Sequence, residues 1–298
     1  MTERHREFVI STSGAFSLAE SATFGFGQRP SSGYAGVMRL AFVADRSFDP
    51  VGVEVRQRGP DVHCTVFGPA DIETTRQQVA RVLSLDHDGR GFDEIGERDP
   101  VVASLQRVAC GLRPPLFYSP YEAAAWAILS VRRPARQAME LRNRLGQQHG
   151  TMFQLAGEPL AALPNPQQML AVSDFPGLPA QRLARLHALA RATIEGTLDV
   201  QSLQAQGPVE AAATLRRING IGPFYSRLIV VRAVGFVDVF PSEEPLLLGQ
   251  IRRLYGLGSS PGSLGDAELD RITEAWRPFR TWVSVLIRAA SPRLAQAA

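Results

Sequence analysis

Hydrophobic and polar residues alternate in four short segments near the start of the chain. The segments are rich in β-branched and aromatic residues and are separated by Gly, Pro and Ser, which is typical of antiparallel strands. They span residues 7–12, 37–43, 51–57 and 62–67. A helical period follows over about 71–85, with Asp71 in the N-cap position. Residues 1–98 are therefore predicted to form a small α+β domain built on an antiparallel sheet.

From Asp99 onward the hydrophobic period becomes helical. Asp99-Pro100 has the form of an N-cap followed by proline. Helices separated by short turns that contain Gly, Pro, Asn or Asp are predicted over about 100–110, 120–130, 134–148, 166–173, 179–195, 209–219, 223–235, 245–255, 266–275 and 278–290. The fold class is therefore α+β, with an all-α domain at 99–298 after the sheet domain.

Composition is that of a globular protein. The chain has 298 residues, of which 45% are hydrophobic and 20% charged. No segment approaches the roughly 18 apolar residues of a membrane helix, and the charged start lacks the apolar part of a secretion signal. We therefore expect a cytoplasmic protein with no membrane partner.

The cysteines do not indicate a metal site. Cys64 and Cys110 are far apart and no Cys/His ligand spacing occurs, so no metal site is predicted.

The basic residues are all arginine. Lysine is absent among the 32 basic side chains, which excludes lysine Schiff bases, pyridoxal phosphate chemistry and a P-loop. The charge is also uneven along the chain. Residues 1–99 hold 11 Arg against 15 acidic residues, whereas residues 100–298 hold 21 Arg against 14. The surplus in the second part is suited to a polyanionic partner.

The clearest chemical motif lies within residues 215–235. One helix is predicted to end at Asn219-Gly220, and Pro223 opens the next. Gly220 and Gly222 flank Ile221, and glycines in such a turn permit a positive φ and the close approach of a phosphate. The N–H groups of the next helical turn would then face an anion. This pattern predicts a helix-hairpin-helix, which binds the DNA backbone without reading sequence. An ordinary αα-corner with glycine caps is the alternative.

Two further blocks follow the hairpin, Asp238-Val-Phe-Pro-Ser-Glu-Glu244 and Trp276-Arg-Pro-Phe-Arg-Thr281. Together with Arg232-Ala-Val-Gly235, blocks at 111–129 and 163–183 and a looser match in the N-terminal sheet domain, they extend over nearly the whole chain. In these blocks the sequence resembles the helix-hairpin-helix DNA glycosylases, in particular the 3-methyladenine DNA glycosylase II family, as a divergent member. The resemblance implies two helical subdomains, one at about 117–235 that ends in the hairpin and one at about 99–116 plus 236–298.

The resemblance also implies a mechanism. A damaged nucleotide is flipped out of the duplex into a pocket, and a carboxylate faces the sugar as the N-glycosidic bond breaks. That carboxylate stabilises the oxocarbenium-like transition state and orients water. The family's catalytic aspartate aligns with Glu244, whose alternative role is a helix-start acid placed for the dipole. No cofactor is implied, although the backbone of the hairpin could hold a monovalent cation as in relatives.

Other site residues follow from the same alignment. In relatives the loop aligned with residues 128–134 supplies the side chain that plugs the duplex; here Arg132 is the candidate, with Arg133 beside it. The alternative is a solvated arginine pair at a helix end. Phe224 stands where lysine-bearing relatives have their Schiff-base lysine. Phe224 and Tyr225 are candidates for stacking on a flipped base, with core packing as the alternative.

The sequence therefore predicts a monofunctional DNA glycosylase of base-excision repair. It would act as a monomer on alkylated bases, of the 3-methyladenine type or bulkier, in double-stranded DNA and leave an abasic site. Because residues 285–290 contain no aromatic side chain where close relatives bring aromatics to the pocket, the preferred lesion stays open. The alternative is a catalytically weak or inactive DNA-binding paralogue that serves as a damage sensor, favoured by the Glu in place of Asp and by the changed loop.

Overall fold

A four-stranded antiparallel sheet begins the chain. The structure, a computed structural model, describes residues 5–25, 34–257 and 265–297. The strands are β1 (Arg6–Ser11), β2 (Met38–Val43), β3 (Pro50–Arg58) and β4 (Asp61–Phe67), in the spatial order β1-β4-β3-β2. Both ends of every strand agree with the predicted segment to within one residue. Buried and half-buried residues alternate along β4, as the pattern predicts, whereas four consecutive residues of β2 are buried.

The sheet buries its inner face under two helices. Val53 of β3 lies between Leu40 and Val66 in the register, and all three are at most 1% exposed. They pack with α1 (Leu18–Thr23) and α2 (Ile72–Val82) in one hydrophobic cluster. Asp71 caps α2 as predicted, accepting the Thr74 amide at 2.8 Å. The helix α1 was not predicted, because its six residues are too few to show a helical period.

The rest of the chain is mainly helical. Within the described residues the helices are α3 (Arg90–Asp93), α4 (Ile95–Arg98), α5 (Pro100–Val108), α6 (Pro120–Ser130), α7 (Ala135–His149), α8 (Pro166–Ala171), α9 (Ala180–Ile194), α10 (Val200–Arg216), α11 (Pro223–Ile229), α12 (Pro245–Leu254), α13 (Gly265–Glu274) and α14 (Arg280–Ala297). Asp99 and Ser119 cap α5 and α6, and a proline follows each cap. None of these helices is both long and apolar enough to span a membrane. The α+β prediction is confirmed.

Two helices differ from the sequence prediction in an informative way. The prediction at 209–219 covers only the second half of α10, because Gly207 (φ 77, ψ 167) breaks the helix just before Pro208. The predicted helix at 223–235 is divided as well. After Ile229 it continues as a π-helical turn, Val230–Val234, and ends at Gly235 with φ 94. The π turn joins the hairpin to the segment that leads to Glu244.

A β-hairpin interrupts the part of the chain that was predicted to be all-α. Its strands are β5 (Met152–Leu155) and β6 (Glu158–Ala161), and each has four residues, too few to show an alternating pattern. The hairpin covers the sheet at β2 and β3. Arg39 donates to the Leu155 carbonyl at 2.9 Å, and the ring of Phe153 lies so close to Gly52 that a Cβ there would meet it at 2.8 Å.

Buried hydrophobic residues of the described chain form three large clusters. The first belongs to the sheet, the second runs from Phe117 to Val234, and the third joins α5 to α12 and α14. Buried hydrogen bonds connect them. Arg81 of α2 donates to the Ala233 carbonyl at 2.6 Å, for example. The predicted domain limits stay a prediction, and their outer ends at residues 1 and 298 lie outside the described residues.

Candidate active site and nucleic-acid interface

The predicted hairpin is a tight turn between α10 and α11. The side chains of Ile218 and Ile221 anchor the turn in the core, where they are 6% and 3% exposed. The Ile221 amide also donates to the Ile218 carbonyl at 3.0 Å. Ile221 was predicted to contact DNA. Its side chain packs in the core and its N–H donates within the turn, and its predicted contact with DNA stays a prediction. At the surface of the turn, Asn219 and Gly222 are exposed and Gly220 is half-buried.

The two glycines serve different purposes. Gly220 has φ +101, and a Cβ there would lie 3.0 Å from the Arg185 Cδ and 3.5 Å from the Ile128 side chain. The predicted need for a positive φ is confirmed at this position. It is wrong for Gly222, whose φ of −86 and ψ of 179 are open to any residue. No atom lies within 4 Å of a Cβ at Gly222, so this glycine leaves open space at the start of α11.

The first turn of α11 faces that open space. Pro223 occupies the first helical position, and no side chain caps the helix. In an α-helix the N–H groups of this turn, here those of Phe224 and Tyr225, have no partner within the helix. They and the exposed Gly222 present backbone donors next to a surface without a side chain. This is the geometry that an anionic oxygen can approach.

The two candidate aromatic residues are placed differently. Phe224 is 63% exposed, so the core-packing alternative is wrong for this residue. Its ring lies edge-on to that of Tyr225, with 5.3 Å between the ring centroids. Tyr225 is half-buried against the second cluster, and its hydroxyl lies 3.1 Å from that of Ser130 at the end of α6. The hairpin and the end of α6 therefore form one continuous surface.

Arg132 and Arg133, in the loop after α6, are not equivalent. Arg133 is half-buried and donates to the Gly177 carbonyl at 2.9 Å. Arg132 is exposed and has a left-handed backbone with φ 51, which non-glycine residues seldom adopt. The side chain of Arg132 is therefore free to contact a partner, whereas that of Arg133 is bonded to the protein.

Two further arginines, which sequence reasoning missed, complete this surface. Arg182 of α9 donates to the carbonyls of Leu129 and Val131, and Arg185 lies one helical turn later beside Gly220. We call Arg132, Arg133, Arg182 and Arg185 the arginine cluster. None of the four forms an ion pair with a carboxylate within the part of the chain that the structure describes. Arg182 lies in a block used for the family resemblance, but nothing local signals its contact with the loop.

Glu244 lies at the N-cap of α12. Its backbone carbonyl accepts the Leu248 amide at 3.0 Å, whereas its side chain makes no capping hydrogen bond. The side chain is 33% exposed and pairs through Oε1 with Nη1 of Arg288 on α14. Burial lowers the pKa of Arg288. Sequence reasoning missed this partner, since no local pattern relates two residues that lie so far apart in the chain.

Neighbouring contacts hold the segment before α12 in place. Glu243 pairs with Arg227 of α11, so the start of α12 is tied to the hairpin helix as well as to α14. Asp238 accepts from Nε of Arg280 and from Nη1 of Arg277, each at 2.8 Å. The two sequence blocks that follow the hairpin are thus bonded to each other. Their contacts place Glu244 at the junction of α11, α12 and α14.

Two cavities lie near these elements without including the candidate site residues. The larger, of about 600 Å³, is behind the hairpin between α10, α11 and the segment 238–242. The smaller, of about 210 Å³, lies between the sheet and the start of α10. Glu244, Phe224 and Tyr225 line neither cavity. The predicted base pocket at Phe224 and Tyr225 stays a prediction, as does a monovalent cation on the hairpin backbone.

Comparison with known proteins finds relatives both in sequence and in fold. No family model matches the chain. The chain is 24% identical over 217 residues to a DNA-3-methyladenine glycosylase of Bacillus subtilis, which covers 70% of each protein. It is 29% identical over 177 residues to DNA-3-methyladenine glycosylase 2 of Escherichia coli, covering 58% of each. The chain thus spans little more than half the length of the second relative.

The fold is shared over a greater length. A 3-methyladenine DNA-glycosylase structure from Archaeoglobus fulgidus superposes with a TM-score of 0.71 at 20% identity, covering 97% of this chain and 99% of that one. The superposition includes the sheet as well as the helices, so it agrees with the α+β architecture. Together with the two sequence relatives, it bears out the predicted resemblance to these glycosylases. The chain is therefore similar in sequence to two DNA-3-methyladenine glycosylases and shares the fold of a third, from which it has diverged.

Proposed function

We propose that this protein is a monofunctional DNA glycosylase that removes alkylated bases from double-stranded DNA. The observation that carries the proposal is the position of Glu244, a partly exposed carboxylate at the junction of the hairpin helix α11 with α12 and α14. The names of the two sequence relatives support the same activity. A cytoplasmic, monomeric protein stays a prediction of the sequence.

Binding would use the backbone of the hairpin and the arginine cluster. Gly222 and the first turn of α11 offer N–H donors to one phosphate, in open space where no side chain interferes. Arg185 lies beside Gly220, so a guanidinium group is available next to the same turn. These contacts position a duplex without reading its sequence, as a repair enzyme that scans DNA requires.

The chemistry would then occur at an extruded nucleotide. Water adds to the anomeric carbon of the sugar and releases one proton to solvent, and the damaged base leaves with the electron pair of the N-glycosidic bond. Positive charge develops on the sugar as that bond breaks, and the negative charge of Glu244 would stabilise it. Phe224, whose ring is largely exposed, offers an aromatic face on which the extruded base can stack. An alkylated base that carries a positive charge is already a good leaving group.

Strand cleavage by a lysine Schiff base is not part of the proposal. The sequence has no lysine, and Phe224 stands at the position of that lysine in lysine-bearing relatives. The product would be an intact strand with an abasic site.

A DNA-binding paralogue without catalysis is the second candidate. The ion pair between Arg288 and Glu244 favours it, because the arginine places a positive charge next to the carboxylate that should face a developing cation. The same ion pair can instead favour catalysis by holding the carboxylate in one position. Glutamate has one more rotatable bond than aspartate, and a fixed partner restricts that freedom.

The test is release of bases from methylated duplex DNA by the unmodified protein. We expect free methylated base, together with abasic sites that alkali converts into strand breaks. Borohydride should trap no covalent protein–DNA complex. Duplex binding without any release would overturn the glycosylase proposal in favour of the paralogue, and a trapped complex would overturn its monofunctional part.

Replacement of Arg288 by glutamine tests how the ion pair acts. We expect base release under single-turnover conditions to fall by about tenfold or more, since a carboxylate displaced by roughly 1 Å loses much of its effect on the transition state. Binding of undamaged duplex should change little, because Arg288 pairs within the protein. The measurement is the release rate at saturating protein together with duplex affinity.

The control is the same substitution in a Glu244→Gln background. If Arg288 acts through Glu244, it should have no further effect there, so the two losses should not add. If Arg288→Gln alone released base faster than the unmodified protein, the arginine would oppose the carboxylate. That effect is the reason the ion pair favours the non-catalytic candidate.

A further inference from the structure

The loop after α6 is held in one backbone conformation that exposes Arg132. The Val131 amide still bonds to the Ala127 carbonyl at 3.3 Å, and the Arg133 amide bonds to the Ser130 carbonyl at 3.0 Å. Between them, Arg132 has φ 51. A left-handed backbone at a residue with a side chain is strained and persists only where neighbouring contacts enforce it.

Arg182 provides such contacts from another helix. Its Nη1 donates to the Leu129 carbonyl at 3.1 Å, and its Nη2 donates to the Val131 carbonyl at 2.7 Å. The two carbonyls lie on either side of Ser130, where α6 ends and the loop begins. The planar guanidinium group can bind both at once because its donors have a fixed spacing. The loop is thereby bonded to the start of α9.

This arrangement places like charges together. The pKa of Arg182 is lowered, first by desolvation and then by the nearby charges of Arg133 and Arg185. Arg133 and Arg182 are both engaged with backbone carbonyls, whereas Arg132 is exposed beyond them. Two of the arginines therefore shape the loop, and the repulsion within the cluster favours an outward position of Arg132 and an anion nearby.

We propose that Arg182 is a positioning residue, which fastens the carbonyls of Leu129 and Val131 so that Arg132 enters the duplex at the gap left by an extruded nucleotide. This inference rests on the proposed function, in which a side chain of this loop fills that gap. Arg182 itself would touch neither the base nor the sugar. Without the Arg182 side chain the loop would be free to move, and Arg132 would adopt several conformations.

The experiment uses a duplex with a tetrahydrofuran abasic analogue opposite 2-aminopurine. Insertion of a side chain at the gap changes the stacking of 2-aminopurine and hence its fluorescence, and no catalysis is needed. The variants are Arg182→Gln, Arg182→Lys and, as a matched control that removes one charge one turn along the same helix, Arg185→Gln. Affinity for undamaged duplex and thermal unfolding are measured for each variant.

We expect the Arg182→Gln variant to lose at least about half of the fluorescence change and to release base about tenfold more slowly than the unmodified protein. The Arg182→Lys variant keeps the charge but not the two-pronged contact, so it should bind undamaged duplex normally and still lose the fluorescence change. Should the glutamine variant fail to fold, the lysine variant decides alone. The Arg185→Gln variant should keep the fluorescence change while its affinity depends less steeply on salt, by about one unit of slope.

The inference is overturned if both Arg182 variants give the full fluorescence change, or if Arg185→Gln loses it equally. An unmodified protein that gives no fluorescence change on the abasic duplex would overturn it as well. These outcomes are separate from those of the proposed function. A protein that inserts Arg132 at an abasic site but releases no base would retain the positioning role and lose the glycosylase activity.

Discussion

Replacing Glu244 with glutamine is expected to reduce base release from methylated duplex DNA by about 10²- to 10³-fold. Glutamine keeps the length of the side chain and its ability to accept a hydrogen bond, but it removes the negative charge that would oppose the positive charge developing on the sugar. Single-turnover release of methylated bases at saturating protein measures the effect. Binding of undamaged duplex, measured alongside, should change by less than about twofold because no substrate cation is present.

The position of Glu244 means that its replacement by glutamine should leave the stability of the fold nearly unchanged. The side chain makes no capping hydrogen bond to α12, and it is one-third exposed, so its charge is not needed to hold a buried partner. Arg288 is exposed to a similar extent, at 36%, and can be solvated when its partner is neutral. Thermal unfolding should therefore stay within a few degrees of the unmodified protein, roughly the range of a 1 kcal/mol change in a chain of this size.

Glu244→Asp provides the matched control. The charge is retained, but the carboxylate retreats by roughly one C–C bond, beyond the tolerance of about 0.5 Å that a catalytic group allows. We expect a rate between those of the unmodified protein and the glutamine variant, because the contact with Arg288 is weakened. A glutamine variant that releases base at the unmodified rate would remove Glu244 from the chemistry, whatever the aspartate variant does.

The sequence is sufficient to predict the parts of the site that local patterns encode. The alternation of the four strands, the capped helix at Asp71 and the hairpin between α10 and α11 all depend on residues that are close together in the chain. A glycine at a positive φ and a proline at a helix start have conformational consequences that hold in any fold. Gly220 shows this directly, whereas nothing in the fold itself requires a glycine at position 222.

The partners of the site residues are not encoded locally. Arg288 meets Glu244 only because α14 packs against α12, and Arg182 meets Leu129 and Val131 only because α9 packs against α6. Helical period identifies which face of each helix is buried, but the crossing of two helices determines which polar residues meet at the edge of that face. The β5–β6 hairpin was missed for a different reason, since its strands have only four residues each.

Replacing Gly222 with aspartate is expected to weaken binding of undamaged duplex DNA by roughly 5- to 1000-fold at low salt. The estimate follows from the repulsion of two charges about 4 Å apart, which is about 1 kcal/mol in water and about 4 kcal/mol near a protein surface. The backbone at this position accepts any residue, and a Cβ would meet no atom within 4 Å. An aspartate at the N-cap of α11 would also bond to the first-turn amides, which stabilises the helix and occupies the donors that a phosphate would use. Lost affinity could then not be attributed to unfolding. Fluorescence anisotropy of a labelled duplex measures the affinity.

Gly222→Asn separates charge from shape, because asparagine has the same size and also caps helices. If the hairpin binds a phosphate, the asparagine variant should bind better than the aspartate variant, and the difference between them should shrink as salt screens the added charge. The arginine cluster would still attract DNA in both variants, so residual binding that depends on salt is expected. Equal affinities for the unmodified protein and the aspartate variant at low salt would mean that the duplex does not approach this turn. Binding would then rest on the arginine cluster alone, and the phosphate contact proposed for the hairpin would be excluded.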